Sequence, residues 1–210
     1  MVRFLRKLFL VLIGDRFQSN LDRSNPYAEL SDEELVKIIV DSGNDLLFGY
    51  IYDRYANKIF NKCFGFAKSI DEAEDLTQDV FLMIFVKLGS FREQSKFSSW
   101  VYALTYNFCV NYVNRNKERK IRQKSDQFDS GEHKFFAEVE DRKLLELRSD
   151  KLKKALDSID PEDKSILLLK YQDDVSIKEL CTLLNIGESA TKMRLKRAKA
   201  KVVENYKSIS

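Results

Sequence analysis

From Ser31 onward, apolar residues recur three and four positions apart, the spacing of one face of a helix. Ser31 and Glu34 form a capping box ahead of Leu35, Ile38 and Ile39. Phe48, Ile51, Tyr52, Tyr55, Ile59 and Phe60 carry the spacing on, and an aromatic stripe of this kind reads as core rather than as a ligand box. A further helix is expected over residues 71–88, with Asp71 as its cap and Glu74 at the reciprocal position. Ala73, Leu76, Val80, Ile84 and Leu88 supply one core-facing stripe, while Phe81, Leu82 and Phe85 come round on other faces. A helix apolar nearly all round must be covered on more than one side, by neighbouring helices or by a partner. Residues 89–97 read as a loop, and helical spacing resumes near Ser98 with Val101, Leu104, Phe108 and Tyr112 on one face.

Periodicity lapses over residues 123–136, a polar segment containing Asp129, Ser130 and Gly131, which is the best linker candidate. A helix resumes near Ala137, with Leu144, Leu147, Leu152, Leu156 and Ile159 as its apolar positions. Asp160 and Pro161 punctuate it: aspartate caps, proline takes the first helical position, and Asp163 sits at the capping-box distance. Residues 166–171 read as a short buried helix. Ser176 and Glu179 then form another capping box; Leu180, Leu183 and Leu184 make an apolar face; Asn185 can end the helix in the left-handed conformation, with Ile186 plugging the corner. The last helix places Thr191, Leu195, Ala198 and Val202 on one side and Lys192, Arg194, Lys196, Arg197, Lys199 and Lys201 on the others. A short helix, a tight turn and a basic second helix are the parts of a helix-turn-helix that lays its second helix in the DNA major groove. The competing reading is a solvated basic helix on a small domain.

Composition narrows this. With two prolines and seven glycines in 210 residues, the chain reads as mostly helical, and its length suits one or two small domains. The net charge of +3 is slight, so the clustering of bases at 117–124 and 192–201 matters more than the total. Cys63, Cys109 and Cys181 form no C-x-x-C pair and fit buried, reduced thiols in the cytoplasm; a single histidine, His133, argues against a metal site. No P-loop, H-E-x-x-H or nucleophile elbow is present, so neither a cofactor nor a catalytic residue is expected. The N-terminal apolar run is too short to cross a bilayer core of about 30 Å, and no cleavage pattern follows it. A helix packed on the body is expected there, with Arg3, Arg6 and Lys7 leaving contact with an anionic membrane as the alternative.

Two stretches carry candidate chemistry besides the last helix. Glu72, Glu74, Asp75, Gln78 and Asp79 make an acidic first half beside the surplus apolar surface, which reads as helix-dipole compensation or as a partner surface. A carboxylate metal centre, and hence a phosphoesterase, is a third reading. Trp100, Tyr102, Tyr106, Asn107, Asn111, Asn114 and Arg115 interleave rings, amides and cations, a mixture suited to exposed nucleobases and equally compatible with core.

Together these features resemble the extracytoplasmic-function (group IV) sigma factors of bacterial RNA polymerase. The residues carrying the resemblance are 73–81 (AEDLTQDVF), 97–100, Asn107 and Arg115, then Asp160, Pro161, Glu179, Leu180, Leu184, Lys192, Arg194, Leu195, Arg197 and Ala198. The resemblance implies an all-α protein of two small helical domains, an N-terminal helical bundle and a C-terminal helix-turn-helix, joined by a flexible linker. Residues 1–24 would be an extension, 25–118 the region 2-like domain, 119–137 the linker and 138–210 the region 4-like domain. It implies that Glu74, Asp75, Gln78, Asp79, Phe81 and Leu82 dock on core RNA polymerase. Lys96, Phe97, Trp100, Tyr106, Asn107, Asn111 and Arg115 would melt and capture the −10 element, offsetting the few kcal/mol that base flipping costs. Glu188, Ser189, Lys192, Met193, Arg194, Lys196 and Arg197 would read the −35 element of promoter DNA, by base edges near the helix start and phosphates beyond. Many members of the family are held by an anti-sigma partner. Four positions depart from the family pattern: Gly187 replaces a polar cap, Ala190 a threonine, Thr191 an apolar β-branched residue, and Asn111 an acid, so the preferred −10 bases do not carry over. A stand-alone helix-turn-helix regulator is the alternative, and the helix over 71–88 is what such a protein would not need.

Overall fold

The computed structural model describes residue 27 and residues 29–123 and 149–209, with side chains described as far as 119 and again from 150. The expectations for residues 1–24, for the linker beyond residue 123 and for the helix start near Ala137 therefore lie outside the described residues, while 119–123, expected as the first part of the linker, are helical. Every regular element among the described residues is helical, and none of these helices is long and apolar enough to cross a membrane. The protein is all-α. It divides into two compact units, Met1–Cys109 and Val110–Ser210, the division falling inside one long helix.

In the first unit, α1 spans Asp32–Ser42 and begins with the expected capping box. The Glu34 N–H donates to Ser31 Oγ at 3.3 Å, and the Ser31 N–H donates to the Glu34 carboxylate at 2.9 Å. The bonds from the Ser31 hydroxyl and N–H hold that carboxyl below its ordinary range. Gly43 stops α1 at φ 63°, a left-handed conformation that costs glycine little, and donates to Ile39 O at 3.0 Å. A 3₁₀ turn, Asp45–Leu47, leads into α2, Phe48–Phe64. Helix α3, Ile70–Lys87, packs along α2. Its cap is Ser69, not Asp71: Ser69 is extended (φ −145°, ψ 166°), which brings its hydroxyl to the Glu72 N–H at 3.2 Å, whereas Asp71 already lies in the first turn. Helix α4 runs Phe97–Gln123.

The buried face of α4 differs from the expected one. Val101, Thr105 and Cys109 are buried together with Ser99, Ala103, Tyr106 and Val110, while Leu104, Phe108 and Tyr112 are only half-buried. Thr105 can enter the core because its hydroxyl donates to Val101 O at 2.8 Å, satisfying the group inside its own helix. Cys63 and Cys109 are buried, with sulfurs 3.9 Å apart, and Cys181 is half-buried; all three are free thiols. The Cys109 thiol donates to Cys63 and lowers the latter's pKa against the opposing effect of burial.

The second unit contains α5 (Ser149–Asp157), α6 (Pro161–Leu167), a π-helical turn (Leu168–Gln172), α7 (Ile177–Leu184) and α8 (Glu188–Ser208). The short helix expected over 166–171 is thus replaced by the end of α6 and a wide turn, in which Tyr171 is exposed and Leu169 is buried. Asp160 precedes Pro161 at the start of α6, yet its carboxylate makes no cap bond. That carboxylate and Asp163 instead accept from Lys201 Nζ on α8, at 2.7 and 2.6 Å.

Candidate polymerase and promoter interfaces

On α3 the core stripe, Ala73, Leu76, Thr77, Val80, Phe81 and Ile84, is fully buried. At about 100° per residue, Asp71, Asp75, Leu82 and Val86 fall on the opposite side. Asp71, Glu74 and Asp75 are exposed; Gln78, Asp79 and Leu82 are half-buried. Phe81 is only 1% exposed, its ring 4.5 Å from Tyr52 and 6.4 Å from Phe48, so it supports this face from beneath and has no surface to offer a partner. Sequence reasoning missed Val86, which is 75% exposed and continues the strip that starts at the acids. Its i+4 spacing from Leu82 was the available signal. The face combines carboxylates with uncovered apolar side chains, which suits a partner offering cations around an apolar surface.

Helix α4 divides its candidate residues between two sides. Lys96, Asn107, Asn111 and Arg115 are exposed and Trp100 is half-buried, with Trp100, Asn107, Asn111 and Arg115 on one side of the helix. Phe97 and Tyr106 are buried. Tyr106 turns inward because the buried Lys62 donates to its hydroxyl at 3.2 Å, with that ammonium also 4.0 Å from the Tyr102 ring centre. Phe97 stacks on Trp100 (centroids 5.7 Å, planes 27° apart), and Phe91 meets both rings. The structure thus presents one indole, two amides and a guanidinium outward, a set that can stack on bases, read their edges and hold phosphate.

The helix-turn-helix is built as its sequence requires. Ser176 and Glu179 complete their capping box, and Asn185 ends α7 at φ 52°, its N–H donating to Thr182 O at 3.3 Å. Gly187 starts α8 without a side-chain cap. Thr191 is fully buried, and its hydroxyl donates to Gly187 O at 3.1 Å and lies 3.3 Å from the Cys181 sulfur, so the polar substitution at this apolar position leaves no unsatisfied group. Thr191, Leu195, Ala198 and Val202 bury one side of α8. On the far side lie Ser189, Met193 and Arg197, all exposed, with Met193 at 50%, and the half-buried Lys196; Lys192, exposed, and Arg194, half-buried, stand at the flanks. Glu188 pairs with Lys192 one turn on, at 2.5 Å, which lowers the carboxyl's pKa and raises the amine's. Lys201, at the end of the basic run, is tied to α6 and belongs to the fold rather than to this face.

A helix-turn-helix with a cationic outer face, accompanied by a helical unit displaying an amide-aromatic face, defines a DNA-binding protein of transcription. The sigma-70 region 2 model matches residues 51–119 and the sigma-70 region 4 model matches residues 149–202. The chain belongs to the extracytoplasmic-function sigma factors and directs RNA polymerase to promoters. It is 27% identical over 167 residues to the ECF RNA polymerase sigma factor SigW of Bacillus subtilis, covering 76% of this chain and 89% of that one. It is 23% identical to the ECF RNA polymerase sigma-E factor of Haemophilus influenzae, covering 84% and 95%. The fold is shared with the sigma factor RpoE of Bartonella quintana, solved with the anti-sigma factor NepR (19% identity, TM-score 0.54, 78% of this chain and 98% of that one). It is shared also with CnrH in complex with the cytosolic domain of CnrY (18% identity, TM-score 0.57, 85% and 99%). Sigma factors are initiation factors without a reaction of their own. The stand-alone regulator is not favoured, since both sigma-70 models match. Among the described residues, no three histidines, cysteines or acids are grouped to hold a metal.

Proposed function

We propose that the three faces divide the work of initiation. In this reading residues 25–118 form the polymerase-docking and −10 domain, 119–137 the linker and 138–210 the −35 domain. Glu74, Asp75, Gln78, Asp79, Leu82 and Val86 dock on core polymerase, with Phe81 as their support. Trp100, Asn107, Asn111, Arg115 and Lys96 capture the opened −10 strand, backed by Phe97 and Tyr106. Glu188, Ser189, Lys192, Met193, Arg194, Lys196 and Arg197 read the −35 element and its phosphates. The protein works in the cytoplasm. An anti-sigma protein of the kind bound to the Bartonella relative restrains it. The observation that carries this division is the exposed acidic-apolar strip of α3, a surface unlike the two basic or amide-bearing faces that suit DNA.

Pull-down with core polymerase and transcription from a genomic fragment library test it. Asp75→Arg with Gln78→Arg should abolish polymerase association. Lys196→Ala with Arg197→Ala should keep association, weaken promoter binding across sequences and lower its salt slope. Undiminished association of the first variant would refute the docking assignment, and a sequence-selective loss in the second would make Lys196 and Arg197 base readers.

A further inference from the structure

The start of α1 carries two adjacent acids that reach different helices. Asp32 accepts from Arg54 at 2.7 Å and from the Tyr55 hydroxyl, both on α2. Glu33 Oε1 accepts the backbone N–H of Phe97 at 2.8 Å, across 64 residues of sequence. Phe97 is the first residue of α4. The first N–H groups of a helix have no partner within it; the side chain of the preceding residue commonly serves the second or third of them and leaves the first to be met from elsewhere. Here that residue is Lys96, whose side chain has no acceptor. Helix α4 therefore takes a cap from α1, and a carboxylate there also suits the positive end of the helix dipole.

What this cap holds is the base of the outward face. The Phe97 ring stacks under Trp100 and meets Phe91 at 5.2 Å and Tyr55 at 5.8 Å. Tyr55 is the residue that Asp32 holds through its hydroxyl. The two acids thus fix, from one turn of α1, the backbone and the ring beneath Trp100. We propose that Glu33 is a positioning residue for capture of the opened −10 strand: it sets the start of α4, and with it Trp100, without touching DNA or polymerase. The inference rests on the proposed role of the α4 face.

The test uses holoenzyme assembled from the full chain and a promoter recovered from the fragment library, with capture of the single-stranded −10 oligonucleotide as the readout. Glu33→Ala should weaken capture about fivefold to tenfold, the scale of one charge-assisted cap, with polymerase affinity unchanged. Glu33→Gln, whose amide oxygen still accepts, should recover most of the loss, whereas Glu33→Asp, one methylene shorter, should not. Amide exchange at Phe97 should quicken in the alanine and aspartate variants alone. Unchanged capture in Glu33→Ala would overturn the proposal, as would a glutamine variant as poor as alanine or an equal loss of polymerase affinity. Asn107→Ala serves as the separate check on the face itself. If it captures normally while Glu33→Ala does not, the face is misassigned and the positioning role towards it falls too; if Asn107→Ala fails and Glu33→Ala is normal, only the role of Glu33 falls.

Discussion

Replacing Lys201 with methionine separates fold from DNA contact on a single helix, because methionine keeps most of the stem and removes only the ammonium. Lys201 bridges Asp160 and Asp163 at 2.7 and 2.6 Å, with side-chain exposures of 34%, 61% and 13% respectively. The Asp160 arm lies largely in water and contributes about 0–1 kcal/mol. Asp163 is nearly enclosed, and removing the partner of a fully buried ion costs about 3–5 kcal/mol. With a third of Lys201 still in solvent, roughly half of that figure applies, so the variant should lose about 2 kcal/mol. For a unit of this size the melting temperature should fall by about 10 °C. Thermal unfolding of the full chain, followed by circular dichroism, measures it. Below the transition, affinity for non-specific duplex should stay within about twofold of the wild type, because Lys201 faces α6. Asp163→Asn in the same background should restore part of the stability by removing the stranded charge. An unchanged melting temperature, or a loss of DNA affinity in the folded variant, would refute the reasoning.

The same contact has a pH signature. The hydrogen bond from Lys201 holds the Asp160 carboxyl below its ordinary value of 3.8. A lowered folded pKa gives stability that is present above the unfolded value and lost as pH falls through the folded one. The difference between wild type and Lys201→Met should therefore be level from about pH 5 and shrink on acidification below about 3.8. Burial opposes the charge on Lys201, but the two carboxylates outweigh it and raise the amine above 10.5, so its contribution persists through neutral pH.

Phe81→Ala should cost about 3–5 kcal/mol in urea unfolding, as for a buried ring, whereas Val86→Asp should leave stability within about 0.5 kcal/mol and weaken polymerase pull-down; equal effects on stability would refute the support-and-contact distinction. Glu188→Gln frees Lys192 and should raise affinity for non-specific duplex, steepening its salt slope by about one; an unchanged slope would mean that Lys192 stays off the phosphates. Ser176→Ala removes a side-chain cap bond at 3.2 Å and should destabilise the helix-turn-helix by about 1 kcal/mol in thermal melts, with no effect if Glu179 alone suffices.

What the sequence made legible follows the range of the interactions involved. The capping boxes at Ser31 and Ser176, the left-handed Asn185 and the buried stripe of α8 all depend on residues within one or two turns, and all appear as expected. The cap of α3 is equally local, since Ser69 and Glu72 have the same spacing as the two capping boxes, but Asp71 two residues on competes for the same role in the sequence. Asp160 was expected to spend its carboxylate locally, but a lysine 41 residues away takes it, and nothing near Pro161 signals that. The rotation of the buried face of α4 was hidden for a similar reason. Leu104 and Phe108 look more apolar than Thr105, yet Thr105 hides its hydroxyl in its own helix and Tyr106 is drawn inward by Lys62 on α2.

That last pair explains why aromatic residues gave the least certain guide to the site. Successive residues on a helix are turned by about 100°, so a buried residue and its exposed neighbour belong to different surfaces. Phe81 beside Leu82, and Tyr106 beside Asn107, are such pairs, and Phe97 stands in the same relation to Trp100 through stacking. In each case the buried ring fixes the backbone from which the outer side chain projects. Composition alone places both members in a functional cluster; burial separates them. Substituting the inner residue should lower stability and, by loosening the outer side chain, affinity as well, whereas substituting the outer one should act on affinity at constant stability. The inner residues cannot be dispensed with on that account. A face that must grip a melted strand or a polymerase surface needs its side chains held before the partner arrives, since ordering them on binding costs about 0.5–1.5 kcal/mol each.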